Sequence, residues 1–409
     1  MIHSLFKNTY FSLVLGLFCC LNSPAQENPS QKMEGHPPIS KKMISGAEQI
    51  HAYLGLLNNK RIAVVANQTA VISKSTGGQT TYRHLIDSLL SLQVHIKRVF
   101  SPEHGFRGTA DASELIADGK DLATGLPISS LYGKRRKPSP AQLEGIDLLL
   151  FDIQDVGVRF YTYISTLHYV MEACAEQGIR LVLLDRPNPN GHYTDGPTLL
   201  PVHQSFVGMH PVPLVYGMTI GEYAQMINGE GWLPNKLVCD LTVIPLKNYN
   251  REKTYHLPVR PSPNLPNDRA INLYPSLGFF EGTHINAGRG TEQQFQRYGA
   301  PFFPKSDFSY IPRVNPGASS PKHLGNTCYG VDLSKSPRQH RINLTWLLDA
   351  YKKTPDKQAF FGPTFTAHAG NKKLEQQLKK GLSAAEIRAS WQADIQVFKK
   401  IRRPYLLYR

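Results

Sequence analysis

Residues 101–108 read SPEHGFRG and follow directly on the apolar run HIKRVF. Two glycines suit a turn, but a turn has no need of Glu103, His104 and Arg107. A carboxyl group held at a partly desolvated strand end can have its pKa raised into the range where it transfers protons. The plainer reading of Glu103 is a carboxylate that caps a helix or accepts from a backbone N–H.

Three further stretches carry side chains of the same kind. FDIQDVGVRFYTYIST (151–166) holds Asp152, Gln154, Asp155, Arg159, Tyr161 and Tyr163. Aspartates after an apolar strand can bind a metal, orient a water or accept from sugar hydroxyls. Arg159 can pair with Asp155 or grip a substrate carboxylate through two parallel hydrogen bonds. Tyrosines suit stacking on a sugar ring with a hydroxyl contact at the tip. DRPNPNG (185–191) is a rigid turn in which Asp185 and Asn188 are candidates to line a pocket. EGTHINAGRGTE (281–292) is a glycine-rich loop with Glu281, Arg289 and Glu292. It lacks the Gly-Lys-Ser/Thr of a phosphate-binding loop. Arg289 with backbone donors can hold an anion, and Glu281 is either a second catalytic carboxylate or the partner of Arg289.

These stretches must be positioned by something, and the pattern around them is regular. Short apolar strands at 61–67, 95–102, within 143–155 and at 180–187 alternate with helical spacing at 81–92 and 163–178. That order predicts an α/β fold with a parallel sheet covered on both faces. Ligands of such sheets bind beyond the carboxyl ends of the strands. Asn67, Glu103, Asp152 and Asp185 fall at or just after four such ends. Further on, a helix is expected over 218–233, with Thr219 as N-cap and Glu222 completing the cap, and a strand over 241–246. Helices follow around 343–353, 371–381 and 383–400. A proline-rich loop at 257–267 marks the junction between a domain at 43–260 and a smaller α/β domain at 261–409.

Composition excludes several classes. With 41% hydrophobic and 19% charged residues, 409 residues are ordinary globular material. The net charge of +15 favours anionic partners. No zinc finger, helix-turn-helix or RNA-binding signature accompanies it, so nucleic acid is not an expected partner. There is no G-x-S-x-G, no H-E-x-x-H and no G-x-G-x-x-G after the first strand, so neither a cofactor nor a metal is expected. Lys7 followed by YFSLVLGLFCCL and Ser23-Pro24-Ala25 reads as a signal peptide over 1–25, cleaved after Ala25. The run is too short for a stable span, and Phe18 is a poor residue before a lipidated Cys19 or Cys20. Residues 26–42 read as a disordered leader. The expected compartment is the periplasm or the outside of the cell. Cys174, Cys239 and Cys328 have no metal-ligand spacing and are expected to be buried small hydrophobes.

Six motifs in one order, SPEHGFRG, DIQDVGVRFYTY, DRPNPNG, GMTIGE, PSPNLP and EGTHINAGRGTE, resemble the bacterial exo-β-N-acetylmuramidases of the NamZ type. The resemblance spans most of the chain. It implies a glycoside hydrolase that removes N-acetylmuramic acid from non-reducing ends of peptidoglycan fragments in wall turnover. It further implies a Rossmann-like N-terminal domain, a smaller C-terminal domain and a cleft between them. Glu103 becomes the general acid/base, and Asp152, Asp155 or Glu281 its helper. The candidates for sugar contact are Asn67, His104, Arg107, Gln154, Asp155, Arg159, Tyr161, Tyr163, Asp185, Asn188 and Arg289. His192 departs from the usual glycine at its position in that family. Muramic acid carries a lactyl carboxylate that glucosamine lacks, for which Arg159 or Arg289 can supply the cation. Two rivals stand beside this reading: a metal-assisted hydrolase using His104, Asp152 and Asp155, and a peptidoglycan-binding protein without chemistry.

Overall fold

The central sheet has seven strands: β1 (Ile62–Ala66), β2 (Ile96–Ser101), β3 (Gly119–Lys120), β4 (Pro127–Ser130), β5 (Leu148–Asp152), β6 (Arg180–Leu184) and β7 (Leu241–Ile244). A computed structural model of the chain describes residues 42–106 and 118–408. The signal-peptide and leader readings, and Arg107, lie outside those residues. The strand order is β7-β6-β5-β1-β2-β4-β3. All pairs are parallel except the short edge strand β3, which runs against β4.

Alternation along the strands separates two cores. Ala63, Val65, Leu149, Phe151, Leu181 and Leu183 pack into the larger apolar cluster. Ile62, Val64, Leu148, Leu150, Val182 and Leu184 pack into the other. Helices α1 (Ile50–Leu57) and α2 (Leu85–Ser91) cover the second face, and α3 (Tyr163–Gln177) and α4 (Ile220–Gly229) the first. Sheet faces buried on both sides require strands without polar interruption, and β1 and β5 are buried at every position.

The expected helix ends hold. α3 stops at Gly178, which takes the left-handed conformation at φ 62°. α4 opens on Thr219, with the reciprocal bonds between Thr219 and Glu222 that define a capping box. The segment 81–92 differs from expectation. Residues Gln79–His84 form a strand paired with Val71–Thr76, and the helix begins only at Leu85. The hairpin turns on Gly77 and Gly78, both at positive φ. A two-residue Gly-Gly loop is the sequence signal for such a hairpin. The expected helix at 383–400 is broken at Ser390–Trp391 into Ala384–Ala389 and Gln392–Arg402.

Beyond α4 the chain adds α5 (Asp268–Leu277), followed directly by the 3₁₀ segment Gly278–Gly282. A three-stranded antiparallel sheet follows, in the order Arg297–Ala300, Cys328–Asp332, Ser309–Tyr310. Residues from this region, among them Phe279, Phe280, Tyr298 and Phe365, belong to the same apolar cluster as β5 and β6. Cys174, Cys239 and Cys328 are free and buried.

Parallel register carries four strand ends to one edge of the sheet: Ala66 pairs with Asp152, Val65 with Phe100, and Phe151 with Leu183. At that edge Asp152 is completely buried, and both its oxygens accept from Arg186, at 2.5 Å from Nε and 2.8 Å from Nη2. Arg186 is equally withdrawn and also donates to the carbonyl of Val71. Asp152→Asn keeps the shape and strands the cation. It is expected to lower unfolding free energy by about 3–5 kcal/mol in urea denaturation, while any folded fraction retains its turnover number.

Candidate active site

Glu103 follows β2 by two residues and is the half-exposed member of an otherwise buried turn, between Pro102 and His104. His104 and Gly105 both adopt positive φ, 71° and 79°. For a histidine this backbone is uncommon, and it turns the chain back beneath the carboxylate. Glu103 Oε2 accepts from Thr162 Oγ1 at 2.9 Å. Thr162 is the N-cap of α3, so the carboxylate stands at the positive end of a fifteen-residue helix.

A layer of tyrosines lies under this edge. Tyr163 OH accepts from Asn67 Nδ2 at 2.8 Å and reaches the carbonyl of Glu103 at 3.4 Å. Tyr161 OH donates to the carbonyl of Pro261 at 2.7 Å, tying the sheet edge to the proline-rich loop. Their rings meet edge to face at 4.8 Å. Burial raises the Tyr163 phenol, and the charge of Glu103 raises it further. Tyr274, from α5, is the common neighbour of the site. Burial raises its phenol first, and Glu281, Glu103, Arg289 and Asp155 all act on it electrostatically. Three carboxylates and one guanidinium, from stretches of sequence as far apart as Glu103 and Arg289, therefore act on one buried ring.

Glu281 lies in the 3₁₀ segment after α5. Its Oε1 accepts from Arg289 Nη1 at 2.9 Å, and both side chains keep about a quarter of their surface open, 23% and 27%. Arg289 Nη2 donates to the carbonyl of Gly317, which also accepts from Asn264 Nδ2 at 2.6 Å. Glu281 and Arg289 line a cavity of about 270 Å³ together with Asn286, Ser319, Ser320 and Lys322.

Several expected contacts have other work. Asp152, expected beside the catalytic glutamate, has both oxygens on Arg186. Arg159, expected to hold a substrate carboxylate, is wholly buried. Its guanidinium donates to the carbonyls of Pro197, Val212, His368 and Ala369 at 2.7–3.2 Å. Burial lowers its pKa to about 9. Asp185 accepts from Gly221 N, Thr219 Oγ1 and Tyr408 OH, and burial lifts it to about 7. Asn188 accepts from Asn190 N within its own loop and donates to the carbonyl of Met218 ahead of α4. Gln154 donates to the carbonyls of Asp155 and Pro187. These residues shape the edge from behind. Glu103, Tyr161, Tyr163, Glu281 and Arg289 are brought together, with Asn67 bracing Tyr163. His104 is buried beneath Glu103. Among the described residues no group of three His, Cys, Asp or Glu stands close enough to hold a metal ion. Thr162, Tyr274 and Lys322 were not singled out from sequence. Thr162 was legible only as a helix start, and the other two only through long-range packing.

Asp155 is buried among tyrosines. Its Oδ2 accepts from Tyr216 OH and Gly157 N, while Oδ1 has no partner. Burial lifts its carboxyl from 3.8 to about 6, against the opposing hydrogen bond from Tyr216. Between those values the folded protein holds a proton that the unfolded chain has released, so stability falls as pH rises through this window. Asp155→Asn is expected to remove that part of the fall, about 3 kcal/mol at 1.36 kcal/mol per pH unit. Urea melts from pH 3.5 to 7 read it, with Asp185 contributing a slope of the same sign in both proteins.

The chain matches the family described as exo-β-N-acetylmuramidase NamZ in both its N-terminal part, over residues 62–269, and its C-terminal part, over residues 272–408. It is 35% identical over 427 aligned positions to the peptidoglycan β-N-acetylmuramidase NamZ of Bacillus subtilis, covering 98% of this chain and all of the relative. Among solved structures it is similar to two DUF1343-family proteins of Bacteroides fragilis. One is 46% identical with a TM-score of 0.82, covering 90% of this chain and 99% of the other. The second is 28% identical with a TM-score of 0.73, covering 91% and 100%. With both halves matched in order and a full-length relative above 30% identity, the chain belongs to the NamZ family of exo-β-N-acetylmuramidases.

Proposed function

We propose that this protein is an exo-acting glycoside hydrolase that releases N-acetylmuramic acid from the non-reducing ends of peptidoglycan fragments. The observation that carries the reading is the partly open Glu103, held by Thr162 at a helix N-terminus, which acts electrostatically on the same buried Tyr274 as the Glu281–Arg289 pair. Glycosidic cleavage needs a carboxylic acid to protonate the leaving oxygen and a second group on the opposite side of the sugar. Glu103 takes the first role. Its Oε2 is steadied by the hydroxyl of Thr162. The second role falls to Glu281 or to the sugar's own 2-acetamido group. Tyr161 and Tyr163 are buried and support the turn that carries Glu103 rather than touching the sugar.

Arg289 supplies the selectivity for muramic acid. Its guanidinium is already positioned by Glu281 and Gly317 and keeps exposed surface toward the cavity, so a lactyl carboxylate can add to it. Arg159 has no part in this, because it is wholly buried and its Nη1 and Nη2 donate to backbone carbonyls. The excess of Lys and Arg suits an anionic wall polymer. The apolar run at 10–21 with its small-residue site fits delivery of the enzyme outside the cytoplasm.

Glu103→Gln is expected to lower kcat on a muramic acid–glucosamine disaccharide by about 10²–10⁴-fold with little change in KM. Undiminished turnover removes Glu103 from the chemistry. Arg289→Ala is expected to cost roughly 10- to 100-fold in kcat/KM for muramic acid over glucosamine substrates, the worth of one charge-assisted hydrogen bond. Competition between the two chromogenic glycosides measures it.

A further inference from the structure

The cavity beside Glu281 contains a cation, Lys322, with no ion pair to a carboxylate among the described residues. Lys322 is half-buried, and its ammonium donates to the carbonyl oxygens of Phe280 at 2.7 Å, Glu281 at 3.1 Å and Thr283. An ammonium has three N–H groups, and here all three are used. The carbonyls belong to the end of the 3₁₀ segment Gly278–Gly282 and the residue after it, and that of Phe280 also accepts from the N–H and hydroxyl of Thr283. Lys322 therefore caps the turn that presents Glu281.

The same loop is fastened a second time. Asn286 is 1% exposed, and its Nδ2 donates to the carbonyls of Lys322 at 2.9 Å and Arg289 at 3.1 Å. Its Oδ1 accepts from Gly288 N at 2.7 Å and Tyr310 OH at 3.1 Å. One side of the clamp grips the backbone of Glu281, the other the backbone of Arg289, and Lys322 belongs to both. We infer that Lys322 is a positioning residue, which fixes the Glu281–Arg289 pair in register for the sugar without touching it. The inference rests on the proposed role of that pair.

Only the ammonium form satisfies all three carbonyls. Burial depresses the Lys322 pKa to about 8, with Glu281 opposing the shift and Arg289 adding to it. His323 and His284 are the other titratable groups beside it, and burial holds His323 low, toward the neutral form. Above pH 8 the neutral amine keeps two N–H groups for three acceptors, so kcat/KM falls on the basic side.

The test compares Lys322→Met and Lys322→Arg with Glu281→Gln and Arg289→Ala on a muramic acid–glucosamine disaccharide, each with a thermal melt and a pH profile. Lys322→Met is expected to fold and to lose about 10- to 100-fold in kcat/KM, the scale of a small misplacement at a reacting centre. Lys322→Arg is expected to retain most activity and to move the basic limb upward from about pH 8. If Lys322→Met stays within twofold of the parent while Glu281→Gln and Arg289→Ala are impaired, the positioning role is wrong and the reading of the pair stands. If the pair variants are themselves unimpaired, that reading falls and this inference with it. Should Lys322→Met not fold, an unmoved basic limb in Lys322→Arg overturns the inference.

Discussion

Asp152 ends β5 at the floor of the sheet edge, and a buried carboxylate there is tolerable only because Arg186 meets both of its oxygens. An unpaired charge in such a place costs several kcal/mol. The pair is formed across two adjacent parallel strands, β5 and β6, so it fixes how the two ends meet. Arg186 then reaches the carbonyl of Val71 and joins this floor to the hairpin after β1. On that floor Asn67 braces Tyr163, and Tyr163 and Thr162 meet the turn that carries Glu103. The part of the edge that faces solvent is ordered by the part that does not.

The fold was legible because its signals are local. Continuous apolar runs gave the strands, Gly178 and the Thr219–Glu222 pair gave helix ends, and alternation of helix and strand gave the parallel sheet. The hairpin at 71–84 was missed although Gly77-Gly78 announces it, because the apolar spacing from Leu85 onward was extended backward over polar residues. Within the site, Glu103, Glu281 and Arg289 were legible as charged groups in glycine-rich turns. Asp152 and Arg159 find partners inside the protein that their sequence surroundings do not show. Sequence shows a charge near a strand end, but whether its partner is substrate, another side chain or four carbonyls depends on residues tens or hundreds of positions away. His368 and Ala369, which take up Arg159, are more than two hundred residues downstream.

The tyrosines of the interior give the site its electrical character. Tyr161, Tyr163, Tyr216, Tyr223 and Tyr274 are all buried, and each has its phenol held in the protonated form by burial. They offer hydroxyl dipoles without adding charge. The carboxylates that come within their reach, Glu103 and Glu281 at the open side and Asp155 behind, are thereby spaced by neutral polar matter rather than by water.

The downstream segment is not merely attached to the sheet domain. Arg159 draws carbonyls from 197, 212, 368 and 369 onto one guanidinium, and Gly370 has room for no side chain beside it. The last residues return to the first domain as well: Tyr408 donates to Asp185, and the backbone of Leu407 and Tyr408 donates to Glu222. Such mutual completion has a consequence for descent. A recombination event that exchanged the second half with that of a distant relative would take from Arg159, Asp185 and Glu222 the partners they draw from residues 368–408. Exchanging one half alone therefore opens several buried seams at once.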